Sequence, residues 1–142
     1  MEQIKGPRTG EAPLAFEGEL LAEASGRLVG GKGRNRWHGV EVYRTAGGKY
    51  VLAIAYRTQW QGEQDHREAV VLGSLDEAAE QLRATVPTLH LEGYRTLLAN
   101  VSPGRESPYR ARQADLEAQL TRDWQHLAAE VLETIGVEER IA

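Results

Sequence analysis

Basic and aromatic residues surround a glycine-rich stretch of the chain, and together they could bind a nucleic acid. The stretch 27–36 reads RLVGGKGRNR and contains no acidic residue. Its basic side chains could neutralise phosphates, its glycines would permit close approach, and two nearby aromatic rings could stack on bases. The residues that would form this contact are Arg27, Lys32, Arg34, Arg36, Trp37 and Tyr56. The alternative is a solvated loop beside a core that contains the aromatic rings, since a basic patch alone is unspecific.

The composition limits how far this nucleic-acid prediction extends. The 142 residues carry a formal net charge of −4, whereas a nucleic-acid-binding domain is usually clearly basic. The segment GGKGRNR also lacks the spacing and the Lys-Ser/Thr ending of a P-loop, so we reject nucleotide binding of that kind. Because the chain has no cysteine, disulfides and thiolate metal sites are excluded.

Histidine and carboxylate side chains near the same stretch are of the types that bind metals. The candidates are His38, Glu63, Asp65 and His66. Their spacing matches no known ligand pattern, so we predict no metal site and no cofactor. Acid–base catalysis by His38 with Glu41 or Asp65 would need a pocket. A small metal-dependent hydrolase that uses His38 and His66 is therefore only a remote alternative.

A long helix is predicted over residues 108–136, because Ser107-Pro108 is typical of a helix start and Gly136 of a helix stop. Its apolar stripe includes Leu116, Leu120, Trp124, Leu127 and Val131. Such a stripe is typical of a core helix, and the alternative is a surface that binds a second copy of the chain or another protein. The helix would be about as long as the strands beneath it or longer, which favours a partner for part of its length.

The element that must position these residues is a β-hairpin over Trp37–Thr58, with a turn at Gly47-Gly48. A two-residue turn would place Tyr43 opposite Leu52. One face would then carry Val40, Val42, Val51, Ala53 and Ala55, and the other would carry Trp37, Tyr43, Tyr50, Leu52, Ile54 and Tyr56, with Glu41 among them. Both faces would be largely apolar, so both should be covered. The face with small residues would suit a closely packed helix.

The other elements complete an α+β domain with a mainly antiparallel meander of about four strands. Residues 1–13 are predicted to be a flexible arm, because they contain glycine and proline and few apolar residues. The single domain covers 14–142, with the meander over 14–73. A first strand over 15–25 alternates apolar and acidic residues, and a last strand covers 67–72. A capping box at Ser74–Glu77 predicts a helix over 74–86.

Several segments between residues 14 and 87 resemble a known family. They are LAFEG at 14–18, VYRTAGGKYVL at 42–52, Trp60, and SLDEAAEQLRATVP at 74–87. Together they resemble the central region of the bacterial EXLDI family and of related small proteins encoded on mobile elements. The acidic, leucine-containing motif that names the family is absent from the C-terminal part of this chain. The resemblance implies a bacterial accessory protein and no particular mechanism.

These observations predict a non-enzymatic interaction module, either a homo-oligomer or a small subunit of a larger bacterial or mobile-element assembly. Its partner would be itself or another protein. The alternative is a nucleic-acid-binding accessory protein that contacts RNA or DNA through residues 27–36. We expect a cytoplasmic protein without membrane contact, because no signal peptide is visible and no apolar run approaches the roughly 18 residues of a membrane span.

Overall fold

Over the residues that the structure describes, the chain forms one curled antiparallel sheet with two helices packed on one face. The computed structural model describes residues 2–26, 35–60, 63–91, 100–105 and 107–136. Its strands, in sheet order, are β1 (Glu2–Arg8), β2 (Glu11–Ser25), β3 (Arg36–Thr45), β4 (Tyr50–Thr58) and β5 (His66–Leu72), and its helices are α1 (Leu75–Ala84) and α2 (Ser107–Ile135). The predicted α+β fold with an antiparallel sheet is confirmed. The predicted number of strands was one too small.

The additional strand lies in the segment that was predicted to be a flexible arm, and that prediction was wrong. β1 pairs with β2 across a tight turn in which Gly10 has a φ of +79°. Pro7 coincides with a register shift between Gly6 and Arg8, where a missing N–H group is tolerated. Glycine and proline therefore mark a turn and a bulge in this segment, not an absence of structure.

β1 also approaches β5, so the sheet curls towards a closed shape. The Thr9 N–H donates to the Arg67 carbonyl oxygen at 2.7 Å, and the Arg67 N–H donates to Thr9 Oγ1 at 2.8 Å. Gly6 permits the close approach, because a Cβ at this position would lie only 3.3 Å from Cβ of Ala69. The curl gives the sheet a concave face, on which Gly6 and Ala69 approach each other, and a helix face, against which the core packs.

The central hairpin pairs one residue away from the predicted register. Tyr43 faces Val51 instead of Leu52. The connection contains four residues, 46–49, instead of two, and of its two glycines only Gly48 has a positive φ, +81°. Because side chains alternate along a strand, the shift moves every β4 side chain to the opposite face.

The shift changes which residues lie under the helices. The helix face of β3 and β4 carries Val40, Val42, Leu52, Ile54 and Tyr56, whereas the concave face carries Glu41, Tyr43, Val51, Ala53 and Ala55. The prediction that the small residues pack against a helix was therefore wrong. A register shift in β2 between Leu20 and Ala22 similarly places these two side chains on opposite faces, although simple alternation predicted the same face.

Both predicted helices are confirmed. α1 follows a capping box in which Ser74 Oγ accepts from the Glu77 N–H and Glu77 Oε2 accepts from the Ser74 N–H. α2 ends before Gly136, whose φ is +77°. None of the helices that the structure describes combines the length and apolar character that a membrane-spanning helix needs. The helices bury their apolar stripes against the helix face.

Candidate functional site

The concave face carries an open cavity of about 530 Å³, here called the concave cavity. Small-molecule sites in proteins usually have volumes of about 300–1,000 Å³, so this cavity is large enough for a ligand. It is lined by Pro7 of β1, by Glu23, Ser25, Gly39, Glu41, Ala53, Ala55, Arg57 and Arg67 on the concave face, and by Ala24, Val40, Ile54 and Glu68, which alternate with them along the strands. Glu130 of α2 also contributes. The cavity is thus built from all five strands and the long helix.

The floor of the concave cavity leaves space for a ligand because the residues at its centre have small side chains or none. Gly39 of β3 pairs with Ala55 of β4, and Ala53 lies one step along the same face. The nearest neighbour of a Cβ on Gly39 would be the Ala24 carbonyl oxygen, at 3.9 Å. The absence of a side chain at Gly39 is therefore not required by close packing. A glycine in a strand interior can instead mark a place where a ligand approaches the backbone.

The walls of the concave cavity carry charges of both signs. Glu23 of β2 pairs directly with Glu41 of β3, while Arg57 and Arg67 extend from β4 and β5. Within the described ranges, no ion pair joins either arginine to either glutamate. The Tyr43 hydroxyl donates to Glu41, and burial together with that carboxylate raises the pKa of Tyr43. Glu41 Oε2 is thus occupied by Tyr43, whereas Glu23, the second oxygen of Glu41 and the two arginines can contact a ligand.

A second cavity, of about 200 Å³, lies on the helix face and contains three histidines. We call it the histidine cavity. The rings of His66 and His90 are stacked, with centroids 3.8 Å apart. His38 is only 6% exposed, and its ring lies 5.3 Å from that of Tyr56 and 5.1 Å from that of Trp124. This cavity is smaller than a typical ligand site.

A buried ion pair stands beside the histidine cavity. Arg36 Nε donates to the two carboxylate oxygens of Glu63 at 3.0 and 3.1 Å, and the two side chains are 4% and 1% exposed. The Tyr56 hydroxyl donates to the same carboxylate, and burial together with Glu63 raises the pKa of Tyr56. The Arg36 guanidinium also lies 4.7 Å from the centre of the Trp60 ring. Arg36 thus acts within the chain, where Glu63 balances its charge.

His38 should make the stability of the protein depend on pH. Burial, with a smaller contribution from His90, lowers the pKa of His38 from its ordinary value of 6.5 to about 4. Between these values the unfolded chain binds a proton that the folded chain does not, so acidification favours unfolding. We expect His38 to remove about 3 kcal/mol of stability as the pH falls from 6.5 to 4.

Urea unfolding at a series of pH values would measure this loss, with the variant His38→Phe as the comparison. The variant keeps a ring against Tyr56 and Trp124 but cannot titrate. Groups far from His38 titrate equally in both proteins, so the difference in slope reports His38 together with its coupling to His90. Parallel stability curves for the two proteins would contradict the assignment.

Three of the residues predicted to bind nucleic acid are described by the structure, and these three do not form one exposed surface. Arg27, Lys32 and Arg34 lie outside the described residues. Arg36 and Tyr56 are buried, and both bind Glu63. Trp37 is partly buried and belongs to the opposite face of β3 from Arg36. A phosphate at Arg36 would have to compete with a buried carboxylate.

The metal and acid–base candidates are only partly assembled. His38 and His66 line the histidine cavity together, but Glu63 binds Arg36. Asp65 Oδ1 accepts from the Thr58 N–H at 2.9 Å. Among the residues that the structure describes, no three His, Asp or Glu side chains converge to hold a metal. The pairing of His38 with Glu41 was wrong, because alternation along β3 places them on opposite faces of the sheet.

The residues predicted to form an interface lie mainly in the core. Leu120, Trp124, Leu127 and Val131 are buried, and the last three belong to the cluster under the helix face. The Trp124 Nε1–H also donates to the Leu82 carbonyl oxygen at 3.3 Å. Leu116 is the one residue of the five that is partly exposed. In this structure, little of the stripe is accessible to a partner.

The sequence interpretation missed the concave cavity as a site. Arg57 and Arg67 lie close to each other because β4 and β5 pair, and Glu23 meets Glu41 because β2 and β3 pair. One signal was present in the chain: Gly39, Glu41, Ala53, Ala55 and Arg57 all occupy odd-numbered positions of the two hairpin strands. A correct register places this set of small and charged residues on one face.

Comparison with known proteins does not extend this description. The chain matches no family model, and searches of curated proteins and of solved structures give no match either. The resemblance of residues 14–87 to the EXLDI family therefore stays a prediction.

Proposed function

We propose that the protein binds a small organic molecule in the concave cavity. One observation carries the proposal: a cavity of about 530 Å³ lies over the centre of the sheet, above a floor of Gly39, Ala53 and Ala55. Protein interiors are normally close-packed, and each buried methylene would stabilise the fold by about 0.8 kcal/mol. If the sequence had been selected for stability alone, larger side chains would occupy these positions. Their small size favours retention of the space for a ligand.

This proposal changes the predicted partner of the interaction module from a macromolecule to a small organic molecule. A protein partner and a nucleic acid stay predictions. The residues named for them are mainly buried or lie outside the described ranges, whereas the concave cavity is open and has charged walls. Binding in the cavity needs no rearrangement of the core.

Filling the floor of the cavity should abolish binding. In Gly39→Leu, the new side chain would project from the centre of the floor into the cavity, so we expect affinity to fall at least about tenfold, or about 1.4 kcal/mol. A library of small charged metabolites would first be screened by ligand-observed NMR. The best hit would then be titrated into ¹⁵N-labelled protein.

Gly47→Ala is the matched control, because a Cβ there would meet only Thr45 Oγ1, at 3.9 Å, in the turn far from the cavity. We expect this variant to bind like the wild type, and circular dichroism would verify that both variants fold. Ligand-induced shifts should include the amides of Gly39, Ala53 and Ala55. Equal affinity of folded Gly39→Leu and wild type would contradict the proposed function.

A further inference from the structure

We infer that the ligand of the concave cavity is dipolar, with an anionic group bound by Arg57 and Arg67 and a cationic group bound by Glu23 and Glu41. This inference rests on the proposed function and specifies the class of ligand. It follows from the positions of the four charged side chains on the concave face and from the space between them.

Each pair of like charges is held together by strand pairing. Glu23 and Glu41 are directly opposite each other on β2 and β3. Arg67 is opposite Ala55, so Arg57, two residues further along β4, is its diagonal neighbour. Like charges directly opposite each other destabilise a sheet, and diagonal neighbours are still within reach of long side chains. A ligand with one group of each sign would relieve the repulsion in both pairs.

The two charged pairs are separated by the floor of the cavity. Glu41 and Arg67 lie two strands and two residues apart, which corresponds to about 12 Å between their Cα atoms in a flat sheet. The curl of the sheet shortens this distance. In the described part of the chain these groups form no ion pair with each other, although both line the same cavity. A molecule with charges at its two ends can bridge them.

The same arrangement disfavours the other classes of charged ligand. A dianion that reached both ends of the cavity would place one group against Glu23 and Glu41. A dication would place one group against Arg57 and Arg67. Either contact is repulsive in a partly enclosed space where water screens charge less well. Only a dipolar ligand has a favourable contact at each end.

Three compounds of the same chain length test this inference: 5-aminopentanoate, glutarate and cadaverine. They carry one charge of each sign, two negative charges and two positive charges, respectively. Each would be titrated into ¹⁵N-labelled full-length protein at low salt while the amides of Gly39 and Ala55 are followed. We expect 5-aminopentanoate to bind at least about tenfold more tightly than the other two compounds.

Variants that each lack one charged side chain identify which end of the cavity binds which group of the ligand. Arg67→Gln should weaken binding of 5-aminopentanoate several-fold and reduce the disadvantage of cadaverine, whereas Glu23→Gln should weaken it and reduce the disadvantage of glutarate. Lys49→Gln, which removes a charge at the hairpin turn, should change nothing. Circular dichroism spectra of the three variants would check folding.

Equal or tighter binding of glutarate or cadaverine by the wild type would overturn the inference and leave the proposed function standing. A lack of response of the cavity amides to all three compounds would also overturn it. The wider metabolite screen and Gly39→Leu would still decide whether the cavity binds any small molecule. Failure of the inference and failure of the proposed function therefore give different results.

Discussion

Replacement of Glu63 with alanine is expected to lower the free energy of unfolding by about 3–5 kcal/mol, because it would leave a buried guanidinium without its carboxylate. The Arg36 side chain is only 4% exposed, so bulk water does not solvate its charge in the folded protein. The Tyr56 hydroxyl would lose its acceptor in the same step. Urea unfolding followed by tryptophan fluorescence and circular dichroism would measure the change.

Asp65→Ala provides the control in the same connection between β4 and β5. Asp65 also accepts one hydrogen bond, from the Thr58 N–H, but it is exposed, so its loss should cost about 1 kcal/mol or less. The double variant Arg36→Met, Glu63→Leu should recover most of the stability, since an apolar pair of similar volume avoids the unpaired charge. The ion-pair assignment would be refuted if Glu63→Ala cost no more than Asp65→Ala.

The ion pair also explains why residues that resembled a nucleic-acid site have another role. Arg36 ends a basic stretch and Trp37 follows it, so composition indicated an exposed contact. The partner that decides otherwise, Glu63, lies 27 positions further along the chain. It reaches Arg36 because β3 and β4 pair and the chain then turns back at their shared end. A contact between residues that only the tertiary structure brings together cannot be predicted from the charges of their neighbours in the sequence.

The elements with local signals were predicted correctly. Ser74 and Glu77 form their capping box within four consecutive residues, and Gly136 ends α2 by its own backbone conformation. The hairpin was also found, because two β-rich runs flank a glycine pair. In each case the physical cause lies within a few residues of the element that it determines.

The register of the hairpin could not be predicted in the same way. Two adjacent glycines favoured a two-residue turn, but the chain uses a connection of four residues in which Gly48 alone of the two takes a positive φ. This difference of one step reversed the faces of β4 and moved Ala53 and Ala55 from beneath a helix to the floor of the cavity. The candidate site was missed for this reason.

The face of α2 was ambiguous for a different reason. An apolar stripe reports that a helix face is covered, but it does not identify what covers it. Leu127 is 0% exposed and packs within the core cluster of the same chain. The covering surface is the sheet, whose helix face had been assigned incorrectly by the register prediction. Once the faces of the sheet are assigned correctly, it follows that the apolar stripe of α2 belongs to the core.

Leu127→Ala should consequently destabilise the monomer itself, by about 2–5 kcal/mol, because it removes buried methyl groups and leaves a cavity beneath α2. Gln125→Ala, at an exposed position of the same helix, should change stability by less than about 0.5 kcal/mol. Unfolding would be measured at two protein concentrations and the subunit number by native mass spectrometry. A core role predicts the same loss at both concentrations and an unchanged mass. An interface role predicts a lower subunit number and a loss that grows with protein concentration, so the two roles of this helix face give opposite results.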